Sequence, residues 1–344
     1  MQKIILSTKE GFPVHYHNAA EIVPSRRGLM LYRVPKSWRE RFPERTAFRA
    51  TQSAGIELRF RAATRYIALE LSTEGLPNYS VILALYHGYR CLRLISLPTP
   101  RFSGRLTLYQ NEELFPGIEE APWRILLPYG AQTAVKALYL SEGVELSAPS
   151  ARPLRWLAHG DSITQGARAL SPGMTYVHLV ADALGWDALN LGFGGSAWGD
   201  APVAEYIASR QDWDVLSIAI GTNTYGGSKE PAADFARRYE RFLEIIRERH
   251  PEKPILCITP IWRREDGPPA VPNLRGDTPQ AYREAITQVV RARAQQDPHL
   301  ALLDGLQLIG DERGLTVDLV HPDPHGMYRM AEGIAQALQK VVSL

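Results

Sequence analysis

The sequence predicts an α/β protein in which an antiparallel β-sandwich is followed by a doubly wound, five-stranded parallel sheet. Residues 1–150 contain short strand-like runs separated by turn residues, whereas residues 151–344 alternate apolar strands with helices. All 14 aspartates also lie after residue 150, and aspartate is unfavourable in strands but favourable at helix caps and turns. We therefore expect two domains, 1–150 and 151–344.

The composition is that of a globular protein with near-neutral charge. A chain of 344 residues gives each of two domains enough length for its own core. The net charge of +2 argues against nucleic acid or an anionic membrane as the main partner. The charge is uneven, because residues 1–150 carry +6 and the rest carry −4. Arginines concentrate between residues 26 and 49, and we interpret that stretch as a solvated face.

Seven runs in the first half have the β-branched or alternating apolar character that is typical of strands. Turn residues separate them, among them Pro77, Gly88 and Gly117. This length and spacing indicate an antiparallel sandwich. The small, proline-bearing segment 147–153 marks the boundary between the domains. The predicted strands are 56–60, 66–71, 80–86, 91–97, 105–109, 123–127 and 134–140.

The second half has a different pattern, in which short apolar runs alternate with longer helical runs. This alternation is typical of a doubly wound parallel sheet with helices on its faces. The predicted strands are 154–158, 187–191, 215–220, 255–259 and 300–304, and the predicted helices are 175–184, 202–209, 231–250, 279–296 and 326–342.

The sequence gives no sign of secretion, a membrane span or a disulfide framework. The apolar run near the N-terminus covers only residues 4–6, which is too short for the core of a signal peptide. No apolar run reaches the 18 or so residues that a membrane span needs. Cys91 and Cys257 fall in different halves, so neither a disulfide nor a paired metal site is indicated. We expect a cytoplasmic protein.

Reactive and polar residues follow several predicted strands of the second half. In an open parallel sheet, ligands bind outside the carboxyl ends of the strands, so we examined the loops that begin there. These loops are His-Gly-Asp-Ser-Ile-Thr at 159–164, Gly-Phe-Gly-Gly-Ser at 192–196, Gly-Thr-Asn at 221–223, Pro-Ile-Trp at 260–262 and Asp-Leu-Val-His-Pro at 318–322.

Together these loops hold the groups that acyl transfer needs. The hydroxyl of Ser162 is a nucleophile once a base takes its proton, and His321 is the best-placed base. Asp318, three residues earlier, can orient the imidazole. The tetrahedral intermediate needs preorganised donors, which the N–H groups of Gly195 and Ser162 and the amide of Asn223 can supply. An imidazole base has a reference pKa of about 6.5, so activity should rise with pH through that range.

In these blocks the sequence resembles the GDSL, or SGNH, hydrolase family. The resemblance covers roughly residues 153–344. It implies a flavodoxin-like three-layer α/β/α fold and esterase or acyltransferase chemistry. It also implies that Ser162 is the nucleophile, that Asp318 and His321 form the charge pair, and that Gly195 and Asn223 are the oxyanion donors. The second block is the loosest match, and Gly194 is an alternative donor. The matching blocks are Gly-Asp-Ser-Ile at 160–163, the glycine at 195, Gly-Thr-Asn at 221–223 and Asp-x-x-His-Pro at 318–322.

The first half resembles, more weakly, the jelly-roll-like β-sandwich that precedes the hydrolase domain in two-domain members. One such domain is marked by Gly-x-Asp-Leu-Tyr, and residues 28–32 read Gly-Leu-Met-Leu-Tyr, with Met30 in place of the aspartate. Two-domain members include carbohydrate esterases that remove acetyl groups, and an acyltransferase of antibiotic biosynthesis. We therefore expect a serine esterase for short-chain acyl, foremost acetyl, esters of carbohydrates. The alternatives are an acyltransferase to a sugar or small-metabolite hydroxyl, and a non-catalytic carbohydrate-binding protein.

Three aromatic residues at strand ends, Trp198, Tyr225 and Trp262, either stack on a sugar ring or pack the rim of the sheet. We expect a small acyl ester or acetylated saccharide as partner, and no cofactor. The His-x-Asp-x-His spacing at 321–325 could suggest a metal, with His159 as a distant further ligand. The acyl mechanism needs no metal, and His325 is equally suited to line the pocket or cap the last helix.

Overall fold

A computed structural model describes residues 1–76, 81–113 and 121–343. Pro77 and Gly117, two predicted turn residues, and Ser80, the first residue of the predicted strand 80–86, lie outside the described residues. The chain forms two compact units, each built from more than one stretch. The first unit comprises Met1–Lys36, Ala50–Ala151 and Ser171–Gly173, and the second comprises Ser37–Arg49, Arg152–Leu170 and Met174–Leu344. The division into domains at 1–150 and 151–344 stays a prediction.

The first unit is built from antiparallel strands. All seven predicted strands have a counterpart, whereas the four strands before residue 33 were not predicted. Those four are short, and the third contains Pro24, so they lack the alternating apolar pattern. The strands are β1 (Gln2–Ile5), β2 (His15–His17), β3 (Glu21–Ser25), β4 (Gly28–Tyr32), β5 (Glu57–Phe60), β6 (Tyr66–Gly75), β7 (Ile82–His87), β8 (Arg90–Ser96), β9 (Arg101–Gln110), β10 (Trp123–Leu126) and β11 (Ala131–Leu140).

These strands form two sheets that share one apolar core, which makes the first unit a β-sandwich. One sheet has the order β3-β4-β11-β6-β9, with β1 also paired to β11; the other has the order β2-β5-β10-β7-β8. Every pairing within them is antiparallel. The shared core includes Leu31, Leu69 and Val135 from the first sheet and Phe60, Leu85 and Ile125 from the second.

Three charged side chains are buried together in this unit. Glu57 accepts hydrogen bonds from Arg59 Nε at 2.9 Å and from Arg124 Nε at 2.8 Å, and its other oxygen accepts from Arg124 Nη2 at 3.0 Å. All three residues are buried. Burial raises the pKa of Glu57, but the cations of Arg124 and Arg59 lower it by more, so its pKa lies well below the ordinary value.

The second unit alternates strands with helices after residue 152, and it also contains nearly all of two short helices from the first half of the sequence. Its strands are β12 (Arg155–Gly160), β13 (Asp187–Gly192), β14 (Val215–Ala219), β15 (Ile255–Ile258) and β16 (Leu300–Leu303). The helices are α1 (Lys36–Arg39), α2 (Glu44–Ala50), α3 (Ser162–Gln165), α4 (Tyr176–Leu184), α5 (Ala201–Ser209), α6 (Thr222–Gly226), α7 (Ala232–Arg247), α8 (Pro279–Ala294), α9 (Gly305–Leu308) and α10 (Pro324–Val342), with a 3-10 turn at Arg264–Asp266. Another 3-10 turn, Pro172–Met174, lies mostly in the first unit.

The five strands form one parallel sheet in the order β13-β12-β14-β15-β16. This is the flavodoxin-like order 2-1-3-4-5, with helices on both faces, so the predicted three-layer fold is confirmed. Helix α4 packs against α10, and α7 packs against both α5 and α8. The five predicted strands and five predicted helices are all present, with ends that differ by a few residues.

The turn between helices α1 and α2 makes apolar contacts within the second unit that we did not predict from the sequence. The ring of Phe42 lies 6.1 Å from the rings of both Phe193 and Tyr206. Our interpretation of residues 26–49 as a solvated face is therefore wrong for part of that stretch. It is also wrong for Arg33, which is buried in the first unit and donates through Nε to the carbonyl of Gln52 at 2.7 Å.

Within the described ranges, no helix combines the length and the apolar character that crossing a bilayer requires.

Replacing Glu57 should destabilise the first unit, because two arginines would stay buried without their carboxylate. We expect Glu57→Gln to lower the free energy of unfolding by about 3–5 kcal/mol, measured by urea denaturation at pH 7. The folded-state pKa of Glu57 is lowered, so the contribution is complete above the unfolded pKa of about 4.3 and is lost as the pH falls towards the folded value. The gap between wild type and variant should therefore shrink below about pH 4.

Glu142 provides the matched control, because its side chain is 80% exposed and, among the described residues, pairs only with the terminal amino group. Glu142→Gln should change the free energy of unfolding by less than about 1 kcal/mol. Equal effects of the two substitutions would contradict the importance we assign to the buried cluster.

Candidate active site

Ser162 is held where strand β12 ends, between β13 and β14 in the sheet. Asp161 follows the strand and caps helix α3, because its Oδ1 accepts a hydrogen bond from the N–H of Ile163 at 2.8 Å. Helix α3 crosses the end of the neighbouring strand at close range: a Cβ on Gly192 would collide with the backbone nitrogen of Gln165 and lie 2.6 Å from its Cα. Only glycine fits there, so the strand ends fix the position of the serine.

Three of the predicted residues form a hydrogen-bonded relay. The hydroxyl of Ser162 lies 2.8 Å from Nε2 of His321, and Nδ1 of His321 lies 2.9 Å from Oδ2 of Asp318. A carboxylate beside Nδ1 favours the tautomer with the proton on that nitrogen, which leaves Nε2 free to accept the proton of the hydroxyl. The arrangement is that of a nucleophile, a base and an orienting carboxylate.

The loop 315–322 keeps Asp318 ionised. Its second oxygen accepts hydrogen bonds from the backbone N–H groups of His321 and Val320 and from the hydroxyl of Thr316, at 2.9 to 3.0 Å. Partial burial raises the pKa of Asp318, but these N–H groups and the His321 ring lower it by more, to well below its ordinary value. Nε of Arg168, an exposed residue, lies 3.5 Å from the same carboxylate.

The loops that follow β13 and β14 carry the two predicted donors, Gly195 and Asn223. The N–H of Gly194 donates to Oε1 of Gln165 at 2.7 Å, so it is engaged. Gly195 has a φ of +70°, and among the described residues its N–H makes no hydrogen bond. The oxygen of the Asn223 amide accepts a hydrogen bond from the N–H of Ala197 at 3.1 Å. Because the oxygen is occupied, the NH₂ group is the end of the amide that is available as a donor.

The loop that carries Gly195 is braced by α2. The hydroxyl of Thr46 donates to the carbonyl of Ser196 at 3.2 Å, and Nε of Arg49 donates to the carbonyl of Gly194 at 3.0 Å. These two residues were not among the predicted site residues. The available signal was the spacing of Thr46 and Arg49, which places them on one face of a helix.

A family model of GDSL-like lipases and acylhydrolases matches residues 158–329, half of the chain, from the middle of β12 into α10. The chain belongs to the GDSL-like lipase/acylhydrolase family. The match includes the relay and both candidate donors, and the resemblance inferred from the four blocks is confirmed. No curated protein sequence matches the chain.

Several solved structures share the fold over the whole chain. The salicylyl-acyltransferase SsfX3 from a tetracycline biosynthetic pathway is 23% identical, with 99% of this chain and 97% of that chain covered and a TM-score of 0.86. A family two carbohydrate esterase from Cellvibrio japonicus is 16% identical, with 99% and 98% covered and a TM-score of 0.67. One from Clostridium thermocellum, in complex with cellohexaose, is 15% identical, with 96% and 99% covered and a TM-score of 0.68.

The three aromatic residues have different surroundings in this GDSL-like enzyme fold. Trp198 is half-buried, and Nζ of Lys229 lies 4.5 Å from the centre of its ring. Trp262 is half-buried, and its backbone N–H donates to the carbonyl of Ile309. Tyr225 is buried: its hydroxyl donates to the carbonyl of Val271 at 2.8 Å, and the guanidinium of Arg263 lies 4.5 Å from its ring centre. One face of the Tyr225 ring is therefore covered by protein.

The residues weighed as metal ligands have other roles here. Asp323 caps α10 by accepting the N–H of Gly326 at 2.8 Å, and His325 is exposed. His159 is buried in the sheet with Nδ1 3.0 Å from the carbonyl of Leu191, and burial lowers its pKa to about 4. Within the described part of the chain, no three histidine, cysteine, aspartate or glutamate side chains group as metal ligands would. The expected lack of a cofactor stays a prediction.

Proposed function

We propose that this GDSL-family protein is a serine esterase that hydrolyses short-chain acyl esters, foremost acetyl esters, of carbohydrates. The observation that carries the proposal is the relay in which Ser162 lies 2.8 Å from His321 and His321 lies 2.9 Å from Asp318. In the first step, Nε2 of His321 takes the proton of Ser162 while the oxygen attacks the ester carbonyl. The imidazolium then protonates the departing oxygen of the sugar as its bond to the acyl carbon breaks, which leaves an acyl-enzyme and a free sugar hydroxyl. Water, activated by His321 in the same way, then releases the acyl group as the acid.

The negative charge that develops on the carbonyl oxygen needs donors that are already in place. We assign this role to the N–H of Gly195 and the amide of Asn223, with the N–H of Ser162 as a third donor. The hydrogen bond from the Gly194 N–H to Gln165 supports Gly195 over Gly194. The bond from Ala197 to the amide oxygen supports Asn223 as a donor, because it leaves only the NH₂ group to face the substrate.

The carbohydrate part of the proposal has two supports. Two of the solved structures that share the fold are carbohydrate esterases, one of them in complex with cellohexaose. Trp198 and Trp262 are half-buried aromatics after strand ends, and a sugar ring presents C–H groups that suit an indole face. Tyr225 would need to lose the cover of Arg263 before a sugar could stack on that face. The cytoplasmic location stays a prediction.

A second candidate is transfer of an acyl group to the hydroxyl of a sugar or small metabolite. The TM-score of 0.86 with the salicylyl-acyltransferase, over nearly the full length of both chains, favours it. The same residues would form the acyl-enzyme, and the two activities differ in how well water is excluded from it. Product analysis with and without an alcohol acceptor separates them: an esterase yields mainly free acid in both cases, whereas a transferase yields mainly the new ester when the acceptor is present.

Ser162→Ala should abolish hydrolysis of a short-chain aryl acetate, because no other group can form the acyl-enzyme. We expect kcat/KM to fall by at least about 10⁴-fold, with an unchanged urea midpoint. A fluorophosphonate should label the wild type at Ser162 and leave the variant unlabelled, as read by mass spectrometry. Equal hydrolysis by both proteins would refute the proposal. A wild type that is neither active nor labelled would support the third alternative, a non-catalytic carbohydrate-binding protein.

The fall of kcat/KM at acid pH should reflect the uptake of a single proton. The lowered pKa of Asp318 keeps this carboxylate ionised throughout the range in which an imidazole titrates, so log kcat/KM should fall with a slope of one between about pH 6 and 5. Burial raises the pKa of Asp161, which is the other carboxyl beside the serine. Asp161→Asn, which keeps a capping side chain, is therefore measured alongside.

A slope of one in both proteins is the expected result. A slope of two in both would mean that Asp318 also takes up a proton, which contradicts its assignment as a permanent anion.

A further inference from the structure

One arginine lies against the glycine to which we assign the oxyanion donor. A Cβ added to Gly195 would collide with Nη2 of Arg45 and lie 2.7 Å from its Cζ and 3.1 Å from its Nε. The guanidinium therefore lies directly over the Cα of Gly195. A Cβ on the preceding glycine, Gly194, would lie 3.4 Å from Cβ of Ser162, so adjacent residues of one loop lie against the guanidinium and the serine.

The backbone that carries this arginine is fixed to the same loop. Thr46 and Arg49, on the same helix, donate to the carbonyls of Ser196 and Gly194, and Phe42 packs on Phe193. Because the anchors lie on both sides of Arg45 in the sequence, they fix its backbone at the glycine loop.

Arg45 differs from the other arginines of residues 37–49 because it has no hydrogen-bond or ion-pair partner among the described residues. Arg41 pairs with Glu205, and Arg49 donates to a backbone carbonyl. Arg45 is exposed and makes no hydrogen bond or ion pair within residues 1–76, 81–113 and 121–343. It therefore presents unused N–H donors and an uncompensated positive charge beside the glycine to which we assign the oxyanion donor.

The carboxylates of the site do not compensate this charge. Asp318 is engaged by His321 and by the loop that holds it, and Asp161 is buried as the cap of α3. The other cation at the site, Arg168, lies 3.5 Å from Asp318. A free anionic group that entered the site near Gly195 would thus meet Arg45 with its donors available.

We propose that Arg45 binds a carboxylate of the substrate and makes the enzyme selective for esters that carry an acidic group close to the scissile carbonyl. A guanidinium matches a carboxylate with two parallel hydrogen bonds, which gives both affinity and orientation. This inference rests on the proposed esterase function and narrows its substrate class. The carboxylate belongs either to the acyl group, as in the half-ester of a dicarboxylic acid, or to the alcohol, as in a uronic acid.

Two matched pairs of esters test the inference and separate the two sources. On the acyl side, 4-nitrophenyl hydrogen succinate is compared with its methyl ester; on the alcohol side, 4-acetoxybenzoate is compared with methyl 4-acetoxybenzoate. For one pair, we expect Arg45→Gln to lower kcat/KM of the charged ester about tenfold and to leave the neutral ester within twofold. The loss should appear mainly in KM, because the contact exists before and during the reaction.

Arg237→Gln is the control for a change of charge alone, since Arg237 is an exposed residue of α7 that pairs with Asp234 on the same unit. It should leave all four esters within twofold. Arg45→Lys keeps the charge but loses the planar fork, and it should retain part of the preference for the charged ester. It also guards against a folding defect in Arg45→Gln.

The outcomes of this experiment separate the inference from the proposed function. Equal losses on charged and neutral esters, carried by kcat, would mean that Arg45 acts on the oxyanion or on the loop, and would overturn the inference. No effect of Arg45→Gln on either charged ester would also overturn it, while hydrolysis of the neutral esters that depends on Ser162 would leave the proposed function intact. A wild type that hydrolyses none of the four esters would overturn both.

Discussion

The close approach of helix α3 to the end of β13 is the constraint on which the site depends. There is no room for a side chain at Gly192, so the helix that begins at Ser162 rests directly on the strand. Because β12 is flanked by β13 and β14 in the middle of the sheet, its carboxyl end is surrounded by the loops that carry the other functional groups. The position of Ser162 thus follows from backbone packing, and the loops place their side chains around it.

The loop of Asp318 stabilises a negatively charged carboxylate in a partly buried position. Two backbone N–H groups and one hydroxyl satisfy one carboxylate oxygen and leave the other for His321. Preorganised donors of this kind stabilise the anion without relying on solvent, so the imidazole is oriented before any substrate binds. At Asn223, a single backbone N–H from Ala197 occupies the amide oxygen and leaves the NH₂ group as the available end.

The segment 37–49 carries Arg45, to which we assign substrate selectivity, and the packing of the segment places that residue. It lies in the first half of the sequence, yet it belongs to the compact unit that contains the relay. Phe42, Thr46 and Arg49 fix it to the glycine loop, and that attachment places Arg45 over Gly195. This segment lies outside all four family blocks, yet it contributes Arg45, the one cation of the site without a partner among the described residues. Differences in substrate between related enzymes would be expected in such a segment.

The sequence by itself determined the two fold classes, the five parallel strands and the residues of the relay. These follow from local signals: alternating runs and turn residues mark strands, and short polar blocks at strand ends mark the site. The blocks at 160–163 and 318–322 can be read without knowing how the chain folds, because a serine and an Asp-x-x-His have few structural reasons to follow strands. Only the tertiary structure decided which glycine N–H is available, that Tyr225 is covered by Arg263, and that residues 37–49 lie at the site. Each of these depends on contacts between residues distant in sequence, which no local pattern encodes.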